Sequence, residues 1–229
     1  MKVSVVIPVF NEEKYIGNCL THLKKQAVKP DEIIIVNNNC TDETIEIAKQ
    51  FDVRIVKEQR QGIIPARNKG YDSAKYEIIA RCDADSLVPP QWIKRIKYNF
   101  EKKHVDALTG PLFYYDLPVK NVMPVFNTYV TMLSKIIKHY PLHGPNMALS
   151  KSMWMKVRDE VCQDDNMVHE DHDISLHMYQ RGGHIHYDRY LTVRTSGRRI
   201  KHDPTTFFIE YPTRLTKMLR KHHVKLFEL

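Results

Sequence analysis

Val3-Ser4-Val5-Val6-Ile7-Pro8-Val9-Phe10-Asn11-Glu12-Glu13 opens the chain as an apolar, mostly β-branched run that ends on an aromatic and turns abruptly acidic. Pro8 interrupts the run and no small-residue cleavage site follows. The stretch therefore reads as a first strand and not as a secretory signal. Working outward, residues 32–36, 53–56 and 77–81 repeat the same strand chemistry. The intervening stretches 12–26, 41–51, 65–74 and 90–104 carry apolar residues at helical spacing, such as Ile16, Leu20 and Leu23. Thr41 is placed to cap the second of these helices. This β-α-β-α alternation predicts an α/β fold with a Rossmann-like, mostly parallel central sheet and helices on both faces. Ligands of such sheets bind beyond the carboxyl ends of the strands, so the loops there are where function is sought. Farther on, strands are expected at 105–109 and 146–149, and helices at 119–139, 151–159 and 170–181.

The 229 residues suit one domain, expected over 1–203. Residues 204–229 read as a basic amphipathic helical extension packed on or next to it. From Arg194 onward nine Lys/Arg face three acids, most of the formal net charge of +8. An anionic partner is implied, whether nucleic acid, anionic lipid or a phosphorylated small molecule. Four scattered cysteines without C-x-x-C spacing predict reduced thiols in a cytoplasmic protein. No apolar stretch reaches membrane-spanning length. The twelve histidines fit no H-E-x-x-H or paired C-x-x-C/H spacing, so structural or surface roles are expected of them. The absence of G-x-G-x-x-G and of a P-loop argues against a dinucleotide oxidoreductase or a P-loop NTPase.

Asp83-Ala84-Asp85 follows the fourth strand. Two carboxylates at this spacing can face one Mn2+ or Mg2+ whose shell phosphate oxygens complete; alternatively, one starts a turn and the other caps the next helix. Pro8, Phe10 and Glu12 stand where an aromatic and a carboxylate can meet a base and ribose, while Asn11 can instead cap the helix that follows. Asn37 and Asn39 lie in a turn, yet an Asn amide can also read the imide edge of uracil. Arg67 sits early in a helix opened by Gly62, available to diphosphate or to the aspartates, or simply on the surface. His143, Gly144 and Asn146 form a tight turn where a glycine lets an acceptor or sugar approach the backbone. Glu170 and Asp171 begin a helix as dipole partners, or Asp171 acts as a general base if its acidic neighbours raise its pKa.

In order and spacing these segments resemble the family 2 glycosyltransferases of the GT-A fold, over about residues 3–187. Asp83-Ala84-Asp85 resembles the family's D-x-D, Gly62 to Gly70 its G-x-x-x-A-R-N-x-G segment, and Glu170-Asp171 its E-D pair. Asn37 departs from the family's usual Asp, and the Q-x-x-R-W motif of processive members is absent. The resemblance implies an inverting, metal-dependent enzyme that moves a single sugar from a nucleotide-diphosphate sugar, UDP favoured, to a hydroxyl on a glycan or lipid-linked acceptor. Asp171 would be the base, Asp83 and Asp85 the metal ligands with His202 joining them, and Arg198 and Arg199 the diphosphate contacts. Cell-surface glycan synthesis fits this picture, at the inner face of the membrane if the basic tail, with Phe207, Phe208, Tyr211, Leu215, Met218 and Leu219, docks there. The tail can equally cover the core with a solvated basic face. The rival readings are a sugar-phosphate nucleotidyltransferase, which needs a basic Gly-rich loop where Phe10-Asn11-Glu12-Glu13 is acidic, and a non-catalytic basic module. No nucleic acid partner is expected.

Overall fold

The structure, a computed structural model, describes residues 1–117, 122–203, 205 and 209–222. Residues 119–121 of the expected long helix, and Phe207 and Phe208 of the tail, lie outside these. The first half alternates regularly: β1 (Val3–Val9), α1 (Ile16–Lys24), β2 (Glu32–Asn37), α2 (Thr44–Ala48), β3 (Arg54–Lys57), α3 (Ile63–Ser73), β4 (Ile78–Arg81) and α4 (Trp92–Lys103). Next come β5 (Ala107–Thr109), β6 (Leu112–Tyr114), α5 (Val122–Ile137), a 3-10 turn at Gly144–Asn146 and β7 (Met147–Ser150). The chain continues through α6 (Lys151–Val157), α7 (Glu170–Gln180), β8 (Ile185–Tyr187), β9 (Val193–Thr195), α8 (Arg198–His202) and α9 (Tyr211–Lys221).

The main sheet runs β3-β2-β1-β4-β7-β5-β8, and β6 pairs with β9 in a separate two-stranded sheet. Only the β7 pairings are antiparallel, so the expected mostly parallel sheet is present. The three-residue strands β6, β8 and β9 were not expected from the sequence, whereas the equally short β5 falls within the strand expected at 105–109. Parallel β1 is buried on both faces by α1, α4 and α3 residues, which is why its sequence is continuously apolar. Its last β4 partner is Val6, opposite Arg81. Pro8 therefore lies past the β4 ladder, where its missing N–H costs that pairing nothing. Gly70 lets α3 settle onto the sheet, since a Cβ there would run into Val6 and, at 2.9 Å, Val36.

The turn before β7 is held from within. Asn146 is fully buried, its Oδ1 accepting from Trp92 Nε1 at 2.9 Å. Its Nδ2 donates to the Leu191 carbonyl at 2.6 Å and the Pro111 carbonyl at 3.2 Å. The expectation that Asn146 meets an acceptor is thus corrected: its amide is spent joining α4, β6 and β9.

At the C-terminal end, α9 sets Leu215, Met218 and Leu219 against Ile64, Leu133, Ile137, Cys162 and Val168, leaving Lys217 and Arg220 outside. Leu215, Met218 and Leu219 of the tail's apolar stripe are therefore used in covering the core. Among the described residues no helix is long and apolar enough to cross a membrane.

Removing the Asn146 amide leaves an indole N–H and two carbonyls buried without it. Asn146→Ala is expected to destabilise the protein by about 1–3 kcal/mol. Urea denaturation checks this; an unchanged midpoint would show that the amide is dispensable.

Candidate active site

The loops at the carboxyl ends of β1 and β2 are latched to each other. Asn11 adopts a left-handed backbone (φ 55°), and its Oδ1 accepts from the Thr41 N–H at 2.8 Å. Glu12 N–H donates to Thr44 Oγ1 at 2.6 Å and Glu13 N–H to Asp42 at 3.1 Å. Neither Asn11 nor Thr41 caps its own helix, as the sequence had led us to expect: α1 starts after Tyr15 and α2 after Glu43, both without a side-chain cap. Phe10 projects from this edge, half exposed. Asn37 accepts from the Cys40 N–H at 2.9 Å, an Asx turn that occupies its carbonyl oxygen. Buried Asn38 braces the 58–62 loop through the Glu58 and Arg60 carbonyls and the Gly62 N–H, and Asn39 holds Gln59 and Gln61.

Three charged side chains meet under the loop after β4. Arg67, 0% exposed, donates to Glu170 Oε2 at 2.7 Å and to the Glu170 carbonyl at 2.8 Å. Arg81, 3% exposed, closes the ion pair with Glu170 Oε1 and reaches Asp83 Oδ1 at 3.2 Å. This corrects two expectations. Arg67 is buried and committed to Glu170 and Asn68, and the start of α3 already receives an anion of the protein, Asp165 Oδ1, 3.0 Å from the Ile64 N–H. Arg67 is therefore not a diphosphate contact. Glu170 does not line an acceptor pocket, because both its oxygens are held by guanidinium groups. Gly144 is corrected for the same reason: a Cβ there would lie 2.7 Å from Arg81 Nη2, so the glycine makes room for the arginine and not for a sugar. Arg81 escaped the motif reading, although a lone Arg ending an otherwise apolar strand beside D-x-D was a usable signal.

Asp85 faces the other side of the same loop. Thr195 Oγ1 donates to it at 2.9 Å, and Arg198 Nε lies 3.3 Å from its Oδ2. Arg198 also pairs with Glu12 Oε1 and stacks 4.4 Å over the Tyr15 ring. Glu12 thus points at Arg198, while its Oε2 is buried with no hydrogen-bond partner among the described residues. Burial, then the neighbouring Asp83, push the Asp85 carboxyl up to about 6 against the opposing pull of Arg198. Asp83 is partly exposed and Ala84 buried. This all-oxygen donor set, strained by its own negative charge and edged by an orphaned carboxylate oxygen, fits a hard divalent cation. Arg199, on α8, donates to the Tyr211 hydroxyl at 2.6 Å. His202 ends α8 exposed, and it does not gather with Asp83 and Asp85 into a three-ligand group among the described residues.

Asp171 follows Glu170 in the first turn of α7. Its oxygens accept from the Gly144 N–H and the His172 N–H, both at 2.9 Å. Burial opposes its charge, yet the imidazoles of His172, His143 and His169 and the Gly144 N–H hold the carboxyl well below the usual carboxylate range. The expected upward shift from clustered acids is therefore reversed: Glu170 is neutralised by its arginines, and the histidines are the nearer influence. Burial drives His143 down to about 4 and His172 to about 3, so both rings are neutral beside an ionised Asp171 at pH 7.

A sheet of this order, with carboxylates after its fourth strand and a second acidic pair at the start of α7, has the architecture of the GT-A fold. The family model described as glycosyl transferase family 2 matches residues 4–158, and the chain belongs to that family. The glycosyltransferase GlyG of Streptococcus pneumoniae is 33% identical over 50% of this chain and 40% of its own length. The chain thus spans less than half the length of that relative. An uncharacterized glycosyltransferase of Methanocaldococcus jannaschii is 30% identical over 69% of this chain and 59% of its own. Among solved structures, the mannosyltransferase PcManGT of Pyrobaculum calidifontis, with GDP-Man and Mn2+, has a TM-score of 0.78 at 19% identity, covering 98% of this chain and 64% of that one. Staphylococcus aureus TarS 1–349 with UDP-GlcNAc has a TM-score of 0.69 at 21% identity, covering 86% and 59%.

Breaking a buried pair from one side leaves uncompensated charge. Glu170→Gln, which leaves buried Arg67 without its anion and Arg81 with Asp83 alone, is expected to lose about 3–5 kcal/mol of stability. Differential scanning calorimetry reads this as a fall in Tm, and an unchanged Tm would show the clamp to be energetically idle.

Proposed function

We propose that the chain transfers a single sugar from a nucleotide-diphosphate sugar, UDP-linked by preference, to a hydroxyl of a glycan or lipid-linked acceptor, with inversion. The observation that carries this reading is the double role of Arg81. It joins Asp83, in the loop suited to a diphosphate-bound cation, to Glu170, whose neighbour Asp171 is an ionised carboxylate.

Asp171 takes the proton of the acceptor hydroxyl as that oxygen attacks the anomeric carbon. The bond to the diphosphate breaks on the opposite face, its electron pair leaving with the phosphate oxygen. Asp83 and Asp85 would hold a Mn2+ or Mg2+, which would supply positive charge against the negative charge developing on the diphosphate. Arg198, already at Asp85, and Arg199, one residue on, give the departing group cationic partners. Phe10 stacks on the base, Asn37 offers its amide N–H groups to it, and Glu12 swings its orphaned oxygen toward the ribose. His143 belongs to the cage around Asp171 and keeps it dry and oriented. His202, exposed at the end of α8, would be a further ligand of that ion.

Three measurements test the reading. A thermal-shift panel of UDP, GDP, CDP and dTDP, with and without Mn2+, should raise Tm most for UDP with Mn2+, and Asp85→Ala should abolish the metal-dependent part. Because Asp85 holds its proton below about pH 6, the Mn2+ affinity should fall about tenfold per pH unit below that value and level off above it. A pH-independent affinity would remove Asp85 from the ion. For the base, Asp171→Asn should lower kcat about 10²–10⁴-fold with donor affinity preserved. A near-normal kcat would exclude Asp171 as the base.

A further inference from the structure

A second group of metal-binding side chains lies on the other side of α7, away from its first turn. Asp173 and His177 are one helical turn apart and share a face. His222, just past α9, reaches the same point: its Nε2 is 2.9 Å from Asp173 Oδ1, while His177 Nε2 is 3.8 Å from that oxygen. One ligand atom from each of the three lies within 4.8 Å of the other two. Ligands around a tetrahedral zinc stand about 3.3 Å apart, so small side-chain movements suffice to close the group on an ion.

Three features set this apart from an ordinary buried hydrogen bond. Asp173 is 1% exposed, and its described ion-pair partners are these two histidines alone, without a Lys or Arg. Its other oxygen, Oδ2, is fixed by the Cys162 N–H at 2.7 Å, leaving Oδ1 aimed at the rings. His177 is 8% exposed, yet neither of its ring nitrogens has a hydrogen-bond partner among the described residues. An imidazole so placed keeps a ring nitrogen available to a metal. Glu160 Oε2 lies 3.6 Å from His177 Nδ1, on the far side of the ring from Asp173. It can accept the Nδ1 proton and so present Nε2 to a metal, the arrangement that orients ligating histidines elsewhere.

We propose that Asp173, His177 and His222 bind a Zn2+-class divalent cation, distinct from the ion held by Asp83 and Asp85, that fastens α9 to α7. Two imidazoles and one carboxylate select a borderline transition ion over Mg2+ or Ca2+, and a water completes four-coordination. Its effect is structural. The ion ties the end of the chain to the helix whose first turn carries Glu170 and Asp171, supplementing the apolar contacts of Met218 and Leu219.

The test uses the full chain without a histidine tag, carrying Asp83→Asn and Asp85→Asn to remove the other carboxylate pair. After chelator stripping, dialysis against Zn2+ and elemental analysis should find one tightly held zinc, accompanied by a rise in Tm. His222→Gln, at the half-buried end of the site, and His177→Gln should each lose that zinc and its Tm gain. Glu160→Gln should weaken binding about tenfold or more. Substituted Co2+ should give the intense visible bands of a four-coordinate site in the parent and lose them in His222→Gln. No zinc in the parent, or zinc retained by both histidine variants, would overturn the proposal.

Discussion

The ion pair between one carboxylate and two buried guanidinium groups ties together the loops at the carboxyl end of the sheet. Glu170 would be costly to bury alone, and so would Arg67 or Arg81. Together they satisfy one another and bind α7 to α3 and β4 from opposite sides. Such clusters add little net stability compared with an apolar core, but each partner is expensive to lose, so they hold geometry strongly. Here the geometry held is that of Asp171, one residue along α7, relative to Asp83, the second anion of Arg81. Two loops far apart in the chain are thereby given a common frame.

Around that frame the protein distributes charge unevenly. Asp171 is ionised among neutral imidazoles, whereas Asp85 is driven toward protonation by burial and by Asp83. Carboxylates whose environments push them in opposite directions suit opposite tasks. One stays ionised across a wide pH range; the other gains from the approach of a cation. Arg198 stands in for that cation, bridging Asp85 and Glu12.

Several site residues expected to face ligands turned out to hold the scaffold. Arg67 and Glu170 lie in segments that the family resemblance brought forward, Gly144 and Asn146 in a turn read from its own residues, and all four are consumed internally. A motif marks residues that a fold requires, and it does not distinguish a group that touches substrate from one that positions its neighbour. The apolar side chains of α9 present a similar case: a basic amphipathic stripe reads equally as a membrane face or a docking face, and Leu215, Met218 and Leu219 are docked.

Local chemistry was enough to reveal the first four strands and helices, because a strand buried on both faces must be continuously apolar and a covering helix must repeat at 3.6 residues. The carboxyl-end placement of Asp83 and Asp85 followed from that alternation, as did the fold class. Three short strands beyond residue 110 were not expected from the sequence, whereas the equally short β5 fell within an expected strand. The directions of the Asp171 and Asp85 shifts, the burial of Arg67 and the meeting of His222 with Asp173 could come only from tertiary structure. Each depends on which groups from distant segments share a low-dielectric neighbourhood, and that proximity is a property of packing that no spacing along the chain encodes.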